Sequence, residues 1–136
     1  METKIRWGIV GPGKIATKFV SDLSLVDDAE LTGVASRNLG RAKAFAKEYN
    51  ISHAFGSYDE LFQSDVVDAL YIATPHNFHK DLAIAAMKNG KHVLCEKPMG
   101  ISRAEVEEMV AVAKANNVFL MEALWSRFNP TIQQVK

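Results

Sequence analysis

Three groups of residues in this chain carry chemistry by their type and spacing. The first is Gly11-Pro12-Gly13-Lys14-Ile15-Ala16, a Gly-x-Gly-x-x-Ala run. Small residues at these intervals suit a tight turn at Gly11, a close approach of backbone to a pyrophosphate at Gly13, and close helix–strand packing at Ala16. A helix starting at Lys14 and Ile15 would also turn its free amides and positive dipole end toward those phosphates. The second group is Ser36-Arg37 with Arg41 four residues on. A carboxylate at this point would accept the ribose 2′-hydroxyl of NAD, and none is present. A serine hydroxyl and two guanidinium groups suit a dianionic 2′-phosphate instead, which predicts NADP as cofactor and NAD as the weaker ligand. Two solvated surface arginines are the alternative reading. The third group comprises Thr74-Pro75-His76-Asn77-Phe78-His79 and Cys95-Glu96-Lys97-Pro98. A lysine fixed by a following proline, at the end of a buried strand, can pass a proton to a substrate oxygen. From these residues alone an ordinary surface lysine is the leading reading of Lys97.

Such residues act together only if one scaffold brings them to the same edge. Short β-rich apolar runs alternate with segments of helical period, the pattern of βαβ units around a parallel sheet. Strands are predicted at 5–10, 31–35, 53–55, 66–73, 92–95 and 118–124, and helices at 14–25, 41–49, 57–62, 81–88 and 102–115. Ile15, Phe19, Leu23 and Val26 are spaced for one apolar face. Ser57 with Glu60, and Ser102 with Glu105, have the capping-box spacing, and Asn89-Gly90 is a helix stop. A further helix is expected after Pro130. The fold class is therefore α/β, a Rossmann-type doubly wound parallel sheet in a single domain. In such sheets ligands bind beyond the carboxyl ends of the strands, where all three polar groups fall.

The chain has 136 residues, 48% of them apolar, with sixteen basic and sixteen acidic side chains. That is enough for one core without disulfides, and the cancelled charge supplies no field to recruit nucleic acid or an anionic membrane. No apolar run approaches a membrane span, and the start of the chain lacks a secretory signal pattern. With the single cysteine, Cys95, these features predict a cytoplasmic domain. Cys95 reads as a buried small side chain before it reads as a reactive thiol. His76 and His79 are three apart, but no carboxylate or thiol stands at ligand spacing, so no metal is expected. Phe19, Phe45 and Met109 read as core, and Tyr49, Tyr58 and Tyr71 as packing residues.

Together with Gly90-Lys91-His92-Val93, these motifs resemble the glucose-fructose oxidoreductase/inositol dehydrogenase/MocA family along essentially the whole chain. The run Met121-Glu122-Ala123-Leu124-Trp125-Ser126-Arg127-Phe128-Asn129-Pro130 looks like the branch containing dimeric dihydrodiol dehydrogenase and NADP-dependent D-xylose dehydrogenase. The resemblance implies hydride transfer between NADP(H) and a sugar or diol carbon. It assigns Lys97 as catalytic beside the nicotinamide, with Glu96 and Pro98 shaping the nicotinamide-ribose pocket. Thr74, Pro75, His76, Asn77 and His79 would line the cofactor loop, His76 standing where the broader family often has asparagine. Trp125, Arg127 and Phe128 would border the substrate. Family members continue with a second, mainly antiparallel α+β domain, and the full-length enzymes would be homo-oligomers. Residues 1–124 are thus read as the dinucleotide-binding domain and 125–136 as the start of a connection to a missing substrate domain. Apolar surface around Leu124, Trp125 and Phe128 would promote self-association. The 136-residue chain is expected to bind cofactor without turning over substrate. A non-catalytic NADP(H) sensor is the alternative, which Lys97 and Trp125 argue against.

Overall fold

The structure, a computed structural model, describes residues 4–74, 79–96 and 102–123. Among the described residues six strands and five helices alternate: β1 (Ile5–Val10), α1 (Lys14–Leu23), β2 (Ala29–Ala35), α2 (Leu39–Tyr49), β3 (His53–Phe55), α3 (Tyr58–Gln63), β4 (Ala69–Ile72), α4 (His79–Lys88), β5 (His92–Glu96), α5 (Arg103–Ala115) and β6 (Leu120–Ala123). The strands pair in parallel in the order β3-β2-β1-β4-β5-β6. Strand order reverses its direction of growth between β1 and β4, and an open parallel sheet forms a crevice at that switch.

The period-two alternation of strand side chains explains the two layers of helices. Ile9, Val34, Tyr71 and Leu94 point into one core, which they share with Phe19 of α1 and Phe45 of α2. Their neighbours Val10, Ala35, Leu70, Ile72, Val93 and Cys95 point into the other, shared with Leu61 of α3, Met87 of α4 and Met109 of α5. Both faces are covered, so the central strands carry near-continuous apolar runs. Each large side chain buried here contributes about 1.5–3 kcal/mol relative to leaving it in water, which makes these cores the main stabilising element.

Local signals set the helix ends. Asn38, Ser57 and Ser102 cap α2, α3 and α5, accepting the amides of Arg41, Glu60 and Glu105. Gly90 adopts a left-handed φ of 78° after α4, where its amide donates to the Met87 carbonyl. The predicted boundaries need correction at several element ends, including α2, which begins at Leu39 and not at Arg41. Helix α1 stops at Leu23, which leaves Val26 half exposed and off the apolar face. Strand β2 begins at Ala29 and helix α4 at His79, each two residues early, and β6 begins only at Leu120. The run 66–73 is a strand only at Ala69–Ile72.

Residues before β4 are buried for another reason. Val67 fills the core, while the Lys91 ammonium donates to the carbonyls of Ser64 and Val67 at 2.6 and 2.9 Å. Burial pushes the Lys91 pKa below the usual lysine range. Asp68 accepts from the backbone amide and the guanidinium of Arg6, tying β1 to the start of β4.

Candidate functional site

The connections at the carboxyl ends of β1, β2, β3 and β4 rest on one another. The Gly11 amide donates to the Ala35 carbonyl at 3.1 Å, the Ser36 amide to Phe55 at 3.1 Å, and the Ala73 amide to Val10 at 2.9 Å. They enclose a cleft of about 640 Å³ lined by Gly11, Pro12, Ser36, Arg37, Asn38, Arg41, Tyr58, Ala73 and Thr74. Two guanidinium groups and no carboxylate line it among the described residues, so the cleft favours an anion.

The two glycines of the turn differ in what demands them. Gly11 has φ +90°, and a Cβ there would lie 2.7 Å from Thr74 Cγ2 and 3.3 Å from the Thr74 amide. The fold itself therefore requires glycine at this position. Gly13 has an extended φ of −168°, open to any residue, and a Cβ there would meet nothing within 4 Å. Space is held open at Gly13, and the fold does not use it. Gly13 is also the N-cap of α1 and supplies no side-chain cap, so the first amides of that helix lack the usual side-chain acceptor. Ala16 is fully buried and lets α1 lie close to the sheet. The side chains of Lys14 and Ile15 lie outside the description.

Ser36, Arg37 and Arg41 come together in the cleft. Ser36 Oγ accepts from the Asn38 amide at 3.1 Å, which leaves its proton for an acceptor in the cleft. One arm of Arg41 donates to the Pro12 carbonyl at 3.1 Å, fixing the guanidinium across the glycine turn. Asn38, through its cap on the Arg41 amide, sets where α2 begins and so where Arg41 stands. Thr74 is 9% exposed, and its Oγ1 is the buried side-chain polar atom without a hydrogen-bond partner among the described residues. An unmet hydroxyl at a cleft wall costs on the order of 1–3 kcal/mol unless a ligand engages it.

His79 does not line the cleft, contrary to the sequence expectation. It is 1% exposed at the start of α4, and its Nε2 lies 2.7 Å from the Thr74 carbonyl. A carbonyl only accepts, so Nε2 carries the proton and His79 ties the Thr74 backbone to the start of α4. Glu96 ends β5 away from the described cleft and accepts a hydrogen bond from the Tyr71 hydroxyl. Tyr71 is thus more than packing: it stacks on Phe19 at 4.0 Å, and burial, then Glu96, raise its pKa well above the usual phenol value. Burial pushes the Cys95 thiol up to about 12. Pro75, His76, Asn77, Lys97, Pro98, Trp125, Arg127 and Phe128 lie outside the described residues. No group of three or more His, Cys, Asp or Glu side chains is placed to hold a metal among the described residues.

Sequence reasoning missed Pro12, Asn38, Tyr58 and Ala73 as cleft residues. Asn38 was legible as a helix cap three residues before Arg41. Tyr58 was legible from its place just beyond the carboxyl end of β3.

A six-stranded parallel sheet in this order, with a glycine turn feeding an uncapped helix at the switch point, defines a dinucleotide-binding Rossmann domain. The chain belongs to the oxidoreductase family with the NAD-binding Rossmann fold, which it matches over residues 5–124. It is 48% identical over 134 residues to mouse trans-1,2-dihydrobenzene-1,2-diol dehydrogenase, covering 97% of this chain and 40% of that protein. It is 44% identical over 132 residues to the scyllo-inositol 2-dehydrogenase (NADP(+)) of Bacillus subtilis strain 168, again 97% of this chain and 40% of that protein. The chain therefore spans about 40% of the length of these curated relatives. Among solved structures it is similar to a 3-ketoreductase from Actinomadura kijaniata in complex with TDP-benzene and NADP. The TM-score is 0.89 and the identity 34%, over 98% of this chain and 42% of that one.

Proposed function

We propose that this chain is the NADP(H)-binding part of a dehydrogenase acting on a hydroxyl or carbonyl carbon of a sugar or diol. The observation that carries the reading is the cleft in which Ser36, Arg37 and Arg41 meet Gly11 and Thr74 with no carboxylate among the described lining residues. The open space at Gly13, the uncapped start of α1 and the unpartnered Thr74 hydroxyl fit a diphosphate. Two guanidinium groups and a serine proton fit the 2′-phosphate that distinguishes NADP from NAD. The relatives named above as diol and inositol dehydrogenases, one of them NADP-dependent, support the substrate class and the cofactor.

The bound dinucleotide would supply the hydride chemistry. Lys97, which follows Glu96 directly in the sequence, would move a proton at the substrate oxygen, and its charge would stabilise a developing alkoxide. Pro98 would fix the direction of Lys97, and Glu96, held by Tyr71, would border the nicotinamide ribose. Pro75, His76 and Asn77 would continue the cofactor loop from Thr74. Trp125, Arg127 and Phe128 would face substrate. In this reading residues 1–124 form the dinucleotide-binding unit and 125–136 lead toward a substrate domain of a homo-oligomeric, cytoplasmic enzyme. Among the described residues no helix is long and apolar enough to cross a membrane.

Calorimetric titration of the chain with NADPH and NADH tests the proposal. NADPH should bind at least tenfold more tightly, the gain expected from charge-assisted hydrogen bonds to one phosphate. Equal affinities would overturn the preference for NADP. Absence of heat and of thermal stabilisation with either cofactor would overturn the site itself.

A further inference from the structure

Tyr58 belongs to the cleft, yet the phosphate chemistry above does not account for it. It is the first residue of α3 and stands beside Arg37, Asn38 and Arg41 in the lining. It is half-buried, one side resting on the core formed with α3, α4 and α5. Among the described residues its hydroxyl has no hydrogen-bond partner and its ring no aromatic partner. The other described lining residues are glycine, proline, serine, arginine, asparagine, alanine and threonine, so Tyr58 is the one aromatic wall among them.

Its position is fixed from two directions. Ser57 caps α3 by accepting the Glu60 amide at 3.2 Å, which sets the first turn that carries Tyr58. The connection before it is tied to the arginine loop, since the Ser36 amide donates to the Phe55 carbonyl. At Gly56 a Cβ would lie 3.1 Å from Leu39 Cβ, so the two connections pack too closely to part independently. Tyr58 and the Arg37–Arg41 segment therefore present to the cleft as one surface.

A nucleoside has a flat apolar face and a polar, phosphorylated rim. The arginines and Ser36 answer the rim, and an aromatic ring answers the face. We infer that Tyr58 is a recognition residue for the adenosine half of the dinucleotide, with its ring as the contact surface. This rests on the dinucleotide reading of the cleft, and the test separates the two.

The chain is labelled with 3-fluorotyrosine, and the Tyr49, Tyr58 and Tyr71 fluorine signals are assigned by single Tyr→Phe substitutions. On saturation with NADPH the Tyr58 signal shifts while the Tyr49 signal does not. In a second arm, calorimetry with adenosine 2′,5′-bisphosphate compares the native chain with Tyr58→Phe and Tyr58→Leu. The phenylalanine variant binds within twofold of the native chain, and the leucine variant about tenfold more weakly at an unchanged cofactor stoichiometry. An unmoved Tyr58 signal in a chain that binds NADPH overturns the inference and leaves the dinucleotide site standing. So does a folded Tyr58→Leu variant that binds within twofold. Should that variant not fold, the fluorine signal of the native sequence decides. A native chain that binds no NADPH overturns the dinucleotide reading and this inference with it.

Discussion

Alanine at Gly13 and alanine at Gly11 should produce opposite phenotypes, although the two glycines are two residues apart in one motif. At Gly13 the backbone is extended and an added Cβ meets nothing within 4 Å, so folding should tolerate the substitution to within ~0.5 kcal/mol. The lost chain entropy of the unfolded state even favours alanine slightly. On the proposed reading, the methyl group instead enters the space a diphosphate would take. Loss of backbone approach and of the amide hydrogen bonds there should weaken NADPH binding at least a hundredfold, about 2.7 kcal/mol. At Gly11 the left-handed φ of +90° costs an alanine about 1–2 kcal/mol, and the 2.7 Å approach to Thr74 Cγ2 adds to it. A total near ~3 kcal/mol lowers the melting temperature of a domain of this size by roughly 10 °C. Thermal melts and calorimetric titrations of the two variants read both quantities. A Gly13→Ala chain that binds NADPH as the native chain does would refute the placement of the diphosphate. A Gly11→Ala chain with native stability would refute the backbone argument.

Three further outcomes follow from the same geometry. Arg37→Ala and Arg41→Ala should each weaken NADPH binding tenfold or more while moving NADH binding less than threefold; equal losses for both cofactors would remove these residues from 2′-phosphate recognition. The Arg6 guanidinium holds the Asp68 carboxyl below the usual carboxylate range. A depressed carboxylate pKa contributes stability that is complete above its unfolded value and lost as pH falls through the folded one. The melting-temperature gap between the native chain and Asp68→Asn should therefore be full at about pH 6 and shrink below about pH 4, and a gap independent of pH would contradict this. Cys95, fully buried with its thiol pushed up to about 12, should resist alkylation at about pH 8 in the native chain and react in denaturant. Rapid labelling of the folded protein would show that the strand end is open.

The sheet, its helices and the glycine turn were legible because each rests on a local rule. Period-two and period-3.6 patterns marked the elements, and Ser57, Ser102 and Gly90 marked their ends. The strand at 66–73 was overcalled because burial, not pairing, makes Val66 and Val67 apolar: the core and the Lys91 ammonium claim that segment. The place of Arg37 and Arg41 in the cleft was legible from their position after β2. His79 was not, since a buried histidine that donates to a carbonyl five residues earlier looks in sequence like any polar residue in a loop. Tyr58, legible only by its place after β3, read as packing for a related reason. One ring can face a core on one side and a cleft on the other, and hydropathy registers only the first.

The two ends of the sheet treat their polar groups in opposite ways. In the half of the sheet away from the cleft, Arg6 and Asp68 satisfy each other, Lys91 takes two carbonyls, and Thr32 Oγ1 donates to the Val66 carbonyl at 2.7 Å. That end is closed, and changes there should alter stability without altering binding. Beyond the carboxyl ends, the start of α1 is uncapped, Thr74 Oγ1 has no partner among the described residues, and Ser36 keeps a proton to give. On the proposed reading, these three unmet groups are a ligand's share of the bonding. On that reading, Gly13 and Thr74 serve binding. Gly11 would serve both on that reading, because the turn at the cleft wall also packs against Thr74.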